Sequence, residues 1–170
     1  MKRIVLLSLL ISVASISAYG QDCSGAAALQ KHIYKPERLV QQKPCITVKG
    51  IIRKKIPEGD GDYHVRLELD NVQPNGLTKN ELLNARNRDS KHKGQHGMFV
   101  FEPLCVNDVT QDTAKKACAA KSPTKHWKQK ISLPNDGEHV EVTGVFVLDK
   151  DGGHGWFEIH PVTSIKVIPK

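Results

Sequence analysis

His154-Gly155-Trp156-Phe157-Glu158-Ile159-His160-Pro161-Val162 completes a β-patterned run that begins at His139. Residues 140–148 are rich in valine with Gly144 at their centre, and Asp149-Lys150-Asp151-Gly152-Gly153 has the chemistry of a turn. The reading is two strands, 139–148 and 156–168, joined by that turn. Proline cannot donate to a sheet ladder, so Pro161 predicts an edge position or a bulge in the second strand. Gly144 predicts a bulge or tight bend in the first.

Upstream, residues 46–56 alternate through Ile46, Val48, Gly50 and Ile52, the pattern of a half-buried strand. Residues 57–62, Pro-Glu-Gly-Asp-Gly-Asp, form a turn. Tyr63, Val65, Leu67 and Leu69 then take one face of a second strand, with His64, Arg66 and Glu68 on a wet face. Residues 98–104 make a third strand. A short helix is expected at 78–86, capped by Thr78 or Asn80. Another is expected at 110–120, with Thr110 as cap and Asp112 in its first turn. Strand, strand, strand, helix, strand, strand is the order of the OB-fold, a small five-stranded Greek-key barrel. The fold expected is therefore mainly β and OB-like, with a helix between strands 3 and 4 and a short N-terminal helical arm. A β-sandwich with decorating helices is the alternative.

Met1-Lys2-Arg3 is basic, residues 4–14 are apolar apart from serines, and Ala18-Tyr19-Gly20 is small at a cleavage position. This is the layout of a secretory signal peptide over 1–20, with Gln21 as the mature start. Residues 21–45 read as the arm and 46–170 as the barrel domain. Asp22 argues against lipid attachment at Cys23, where a small preceding residue is expected. No second apolar segment is long enough to span a membrane, so the mature chain is expected to be exported, periplasmic or secreted. An exported chain with four cysteines predicts two disulfides. Of three connectivities, the sequence-local one is expected, Cys23–Cys45 and Cys105–Cys118.

The formal charge is +7, and removing Lys2 and Arg3 with the signal leaves +5. A basic chain favours anionic partners, an anionic polymer or glycan for example, or it simply stays soluble. Aromatics are only 5% of the chain, which weakens a base-stacking reading. The basic residues group at Arg53, Lys54 and Lys55 and at Arg86, Arg88, Lys91, His92 and Lys93.

Gly61-Asp62-Tyr63-His64, Phe101-Glu102 with nearby Cys105, Val142-Thr143-Gly144 before the Asp149 turn, and above all 154–162 resemble a family of exported bacterial proteins of uncharacterised function. The last motif, His-Gly-Trp-x-Glu-Ile-His-Pro-Val, is the most specific. The chain departs from the family pattern in a longer, more basic stretch from Asn84 to Gly97 and in the glycine pair before His154. The resemblance implies an OB-like domain and no established activity.

Glu158 and His160 are two apart in a strand and so share a face. Asp62 and His64 do the same on the second strand, and Glu102 ends the third. With His154 and Trp156 these form the candidate ligand or polar cluster. Carboxylates with imidazoles suit a divalent metal, for which His64, Glu158 and His160 are the candidates. Three readings follow. The first is a non-catalytic binding or structural module with a polar network. The second is a divalent-metal-dependent hydrolase, of phosphodiesters for instance, built from Asp62, His64, Glu102, Glu158 and His160. The third is polyanion or oligonucleotide binding on a basic OB rim.

Overall fold

The computed structural model describes residues 22–74, 76–91, 94–120 and 125–169. The signal-peptide reading of 1–20 lies outside the described residues, as do His92 and Lys93 of the basic stretch.

The chain is mainly β, a five-stranded mixed sheet with few and short helices. The strands are β1 (Leu39–Pro57), β2 (Tyr63–Leu69), β3 (Phe99–Phe101), β4 (His139–Asp149) and β5 (Phe157–Val167). Hydrogen bonding runs in the order β1-β2-β3-β5-β4, and β4 returns to β1, so the sheet closes on itself. All pairs are antiparallel except β3 with β5, where Val100 and Phe101 face Glu158 and Ile159. The 19-residue β1 makes closure possible: its first part pairs β4 and its last part pairs β2.

Gly50 lies where β1 serves both partners, opposite Leu69 and Val140. A Cβ there would sit 2.3 Å from the Glu68 carbonyl oxygen. Gly144 occupies a register irregularity between β4 and β5, where a Cβ would sit 2.3 Å from the Pro161 carbonyl oxygen. Both glycines let neighbouring backbone approach more closely than any side chain permits. Pro161 lies beyond the part of β5 that pairs β3, beside the same irregularity. The bulge expectation holds, and beyond Ile159, where the pairing with β3 ends, β4 is the one strand partner of β5 among the described residues, so Pro161 also stands on a locally unpaired side.

Alternate residues of these strands fill the interior: Ile46, Val48, Ile52, Val65, Leu67, Phe99, Phe101, Val140, Val142, Phe146, Ile159 and Val162. Leu82 and Leu83 close one part of it. Burial of this many aliphatic and aromatic side chains, each worth roughly 1.5–3 kcal/mol, drives the fold. Both expected disulfides are present, Cys23–Cys45 and Cys105–Cys118. Among the described residues no helix is long and apolar enough to cross a membrane.

Four details correct the sequence expectations. β1 begins at Leu39, well before residue 46, because residues 41–44 are exposed and pair β4 without serving the interior. The helix expected at 78–86 is two single turns, α2 (Lys79–Leu82) and α3 (Ala85–Arg88). Asn84 breaks them: it is extended, and its side chain accepts from the Arg86 and Asn87 amides to start the second. The helix expected at 110–120 is one 3-10 turn, Asp112–Ala114. Here the Cys105–Cys118 crosslink and the Trp127 amide bonded to the Cys118 carbonyl fold the segment back on itself. The expected N-terminal helical arm is present as α1 (Ala26–Leu29) and two 3-10 turns. Finally, the outer face of β2 is not uniformly wet, since His64 is buried while Glu68 is exposed.

Candidate functional site

Strand alternation places the candidate residues. Val65, Phe101 and Ile159 point into the interior, so His64, Glu102, Glu158 and His160 lie on the outer side of the β2–β3–β5 wall. An outer face is ordinarily solvated. Here His64, Glu102, Glu158, His160 and Asp62 are all 4% exposed or less. The cover comes from Arg38 before β1, from Gln95, from residues 103–105 and from the β4–β5 connection carrying His154 and Trp156.

The structure joins all seven candidates. His64 Nδ1 lies 2.9 Å from Glu102 Oε1, and His160 Nδ1 lies 3.1 Å from Glu158 Oε1. Trp156 Nε1 donates to the other Glu158 oxygen at 2.7 Å. His160 Nδ1 is also 3.1 Å from Glu102 Oε2, but its hydrogen aims at Glu158, so that contact is one of charge without a directed hydrogen bond. Asp62 Oδ1 accepts from the Cys105 amide at 2.6 Å, while Asp62 Oδ2 stands 3.7 Å from His160 Nε2. His154 stacks on Trp156 with ring centroids 4.2 Å apart, and the edge of His64 meets Trp156 at 5.3 Å. Trp156 is thus packed between imidazoles and covered, which removes it as an open stacking platform.

Three partners were not singled out from the sequence. Asp149 accepts from Arg38 and faces His154 Nδ1 at 2.6 Å. Arg38 also lies 3.8 Å from Glu102. Gln95 Oε1 accepts from Arg66 Nε at 2.9 Å and faces His64 Nε2 at 2.8 Å. The Arg66 bond fixes the orientation of the Gln95 amide, so His64 Nε2 must donate to its oxygen. Both His64 nitrogens then donate, which requires the imidazolium. Asn87 locks the wall from outside: its amide donates to the Met98 and Phe157 carbonyls and its oxygen accepts from the Phe157 amide.

The electrostatics follow from this geometry. Burial disfavours the His64 cation, but its hydrogen bond to Glu102, that carboxylate's charge and Gln95 outweigh it and push the pKa up to about 9. Burial opposes the His160 cation too, and Glu102 and Glu158 together push it up to about 10. Burial alone would raise Glu102, yet the close charge of His160 and the hydrogen bond from His64 hold it well below the usual carboxylate range. Asp62 goes the other way. Burial and the neighbouring Asp60 lift it well above its ordinary value, and His160 is too distant to offset them. Burial and Glu102 raise Glu58 to about 7. Burial lowers His154, with Arg38 beside it, against the pull of Glu102.

Beside this buried network a pocket of about 300 Å³ opens to solvent, lined by Ile56, Glu58, His64, Arg66, Gln95, Gly152, Gly153, His154 and Trp156. Arg86 holds its rim by donating to the Gly153 and His154 carbonyls. Asp62, Glu102, Glu158 and His160 lie behind the pocket wall and do not line it. Of the basic residues outside it, Arg88 bonds the Lys79 carbonyl and Asn80, Lys55 bonds the Pro134 carbonyl, and Arg53 pairs with Glu68.

The missed partners had weak signals. Arg38 follows a proline in what reads as an arm, Asp149 reads as a turn residue, and Gln95 sits in a polar loop. Their roles arise only when separate loops converge on one wall. The chain matches no protein-family model, and no curated protein is similar to it at the level that marks a relative.

Proposed function

We propose that this chain is an exported, non-catalytic binding module, an OB-like Greek-key barrel that holds a small anionic ligand in the pocket on its outer wall. The strand order β1-β2-β3-β5-β4 with its one parallel pair supports the OB-like reading. Two disulfides support export, since such bonds persist in oxidising compartments. The resemblance carried by 154–162 points the same way.

The observation that carries the reading is the pairing of Arg66 and the His64 imidazolium on Gln95 along one side of the pocket. Two cations held in place by one amide, in a concave opening, favour an acceptor-rich ligand. The buried carboxylates behind them balance the fixed charge and hold His64 rigid. A hydrolase built on the whole cluster is disfavoured by reach. A general acid or base must come within hydrogen-bonding distance of the substrate, and only His64 and Glu58 of the titratable acids and bases near the cluster, with His154, face the opening. A basic rail for a polyanion is disfavoured because Arg86 and Arg88 already serve backbone carbonyls.

The test is isothermal titration of the disulfide-bonded chain with inorganic phosphate, sulfate, citrate, a nucleoside monophosphate and a uronic acid. We expect saturable binding of at least one, weakened tenfold or more in Arg66→Gln, which is about 1.4 kcal/mol. Absence of binding across the panel, or equal affinity in Arg66→Gln, would sink the proposal.

A further inference from the structure

Three atoms behind the pocket make charge contacts, Glu102 Oε2 with His160 Nδ1 at 3.1 Å and Asp62 Oδ2 with His160 Nε2 at 3.7 Å, but no hydrogen bond. Asp62 Oδ2, Glu102 Oε2 and His160 Nε2 are buried without a hydrogen bond among the described residues. Their residues are 2%, 1% and 1% exposed, so solvent does not satisfy them. One unpaired buried polar atom costs roughly 1–3 kcal/mol, and more when charged. Three on neighbouring residues is a concentration that native folds ordinarily avoid unless something else satisfies them.

The other half of each side chain is fixed. Asp62 Oδ1 is held by the Cys105 amide, Glu102 Oε1 by His64 and His160 Nδ1 by Glu158. Glu158 is held in turn by the Trp156 indole. Each residue therefore has one atom anchored by a hydrogen bond and one with no hydrogen bond. Metal ligands in proteins are oriented in this way, with a carboxylate on the far nitrogen of a ligating histidine fixing its ring and its basicity. Asp62, Glu102 and His160 each offer a donor atom within 4.8 Å of the other two.

We infer that Asp62, Glu102 and His160 form a buried site for one divalent transition-metal ion, with His64, Glu158 and the Cys105 amide as its outer partners. Two carboxylates and one imidazole suit Zn²⁺ first and Mn²⁺ second. Cys105 and Cys118 also approach Asp62, but their sulfurs are joined in a disulfide and supply no thiolate. Binding replaces the proton on His160 Nε2, which leaves to solvent. Three protein ligands leave a fourth position for one water, and because all three are buried behind the pocket wall that position is closed to the pocket, so the ion's role is structural, tying β2, the end of β3 and β5 together. The inference stands apart from the pocket ligand, because none of its three ligands lines the pocket.

The test uses the disulfide-bonded chain, stripped with a chelator, desalted and titrated with Zn²⁺ and, separately, Mn²⁺. We expect one equivalent of Zn²⁺ retained after gel filtration, counted by elemental analysis, with a rise in Tm. Asp62→Asn and His160→Gln keep side-chain shape; each should bind at least tenfold more weakly while circular dichroism shows a folded chain. Glu158→Gln, a positioning change, should keep the stoichiometry and weaken binding tenfold to a hundredfold. Arg66→Gln, which targets the pocket, should bind Zn²⁺ as the wild type does. A folded wild type that retains no metal and shows no Tm shift overturns the inference. So does Zn²⁺ retained equally by both ligand variants. Should those variants fail to fold, Co²⁺ titration of the wild type decides: a saturable visible spectrum at one equivalent supports the site, and its absence overturns it.

Discussion

Phe101 and Glu102 are neighbours in the chain and lie on opposite sides of one wall. Phe101 points into the closed sheet among Val65, Phe99 and Ile159, the ordinary apolar core. Glu102 points outward, where loops bury it as completely, between His64 and His160. The β2–β3–β5 wall therefore has two cores, one apolar and one charged. The apolar core is held by a non-directional force that tolerates some repacking. The charged layer depends on specific partners, because each buried ion is costly unless paired. Polar residues alternating with apolar ones do not by themselves mark a solvated face.

The largest expected effect tests whether the outer layer is a core at all. Phe101→Ala should cost about 3–5 kcal/mol, from lost burial and the cavity it leaves. Glu102→Ala should cost a similar amount, about 3–5 kcal/mol, because it strands the His64 and His160 cations. Urea unfolding with chelator present measures both. A Glu102→Ala cost below about 1 kcal/mol would break the comparison and show that the outer layer opens to water.

The two cores were not equally legible. The inner one follows directly from period-two alternation: Val65, Leu67, Val140 and Val142 are where a half-buried strand puts them. The glycines that allow curvature and the local disulfides could also be read, because both are local features. The candidate residues could be named, since Glu158 and His160 share a face by spacing alone. What could not be read was their burial. His64 looks like a solvated strand residue until Gln95 and Trp156 are brought over it from positions 31 and 92 residues away. Arg38 and Asp149 pair across 111 residues, a contact that no local pattern encodes. The helix expected at 110–120 failed for the same reason, because a crosslink and a long-range backbone bond overrode local propensity.

A second effect, somewhat smaller, sharpens the comparison by measuring coupling. In a double-mutant cycle, His64→Leu and Glu102→Leu should not be additive. The coupling expected is about 1–3 kcal/mol, because replacing both ions removes the unpaired charge that either single change leaves behind. Chemical denaturation of the four proteins gives the value. Additivity within about 0.5 kcal/mol would mean that the two groups do not sense each other.

The smallest effect comes from an ion pair outside either core. His139 Nε2 lies 2.8 Å from Asp70 Oδ2, and its Nδ1 faces the Pro169 carbonyl at 2.8 Å. The Asp70 hydrogen bond, with the Pro169 carbonyl, raises the His139 pKa above its ordinary 6.5. Because the folded value is the higher one, the stabilisation is fully present below about pH 6.5 and is lost as pH rises through the raised folded value. A pair this near solvent contributes only about 0.2–1 kcal/mol. Wild type should therefore exceed His139→Gln by that margin at pH 5.5, and the gap should close by pH 9. A gap that instead widened with pH would mean that the neutral imidazole, accepting no charge from Asp70, is the form the fold prefers. The outer-wall histidines would then be alone in using a carboxylate to stay charged.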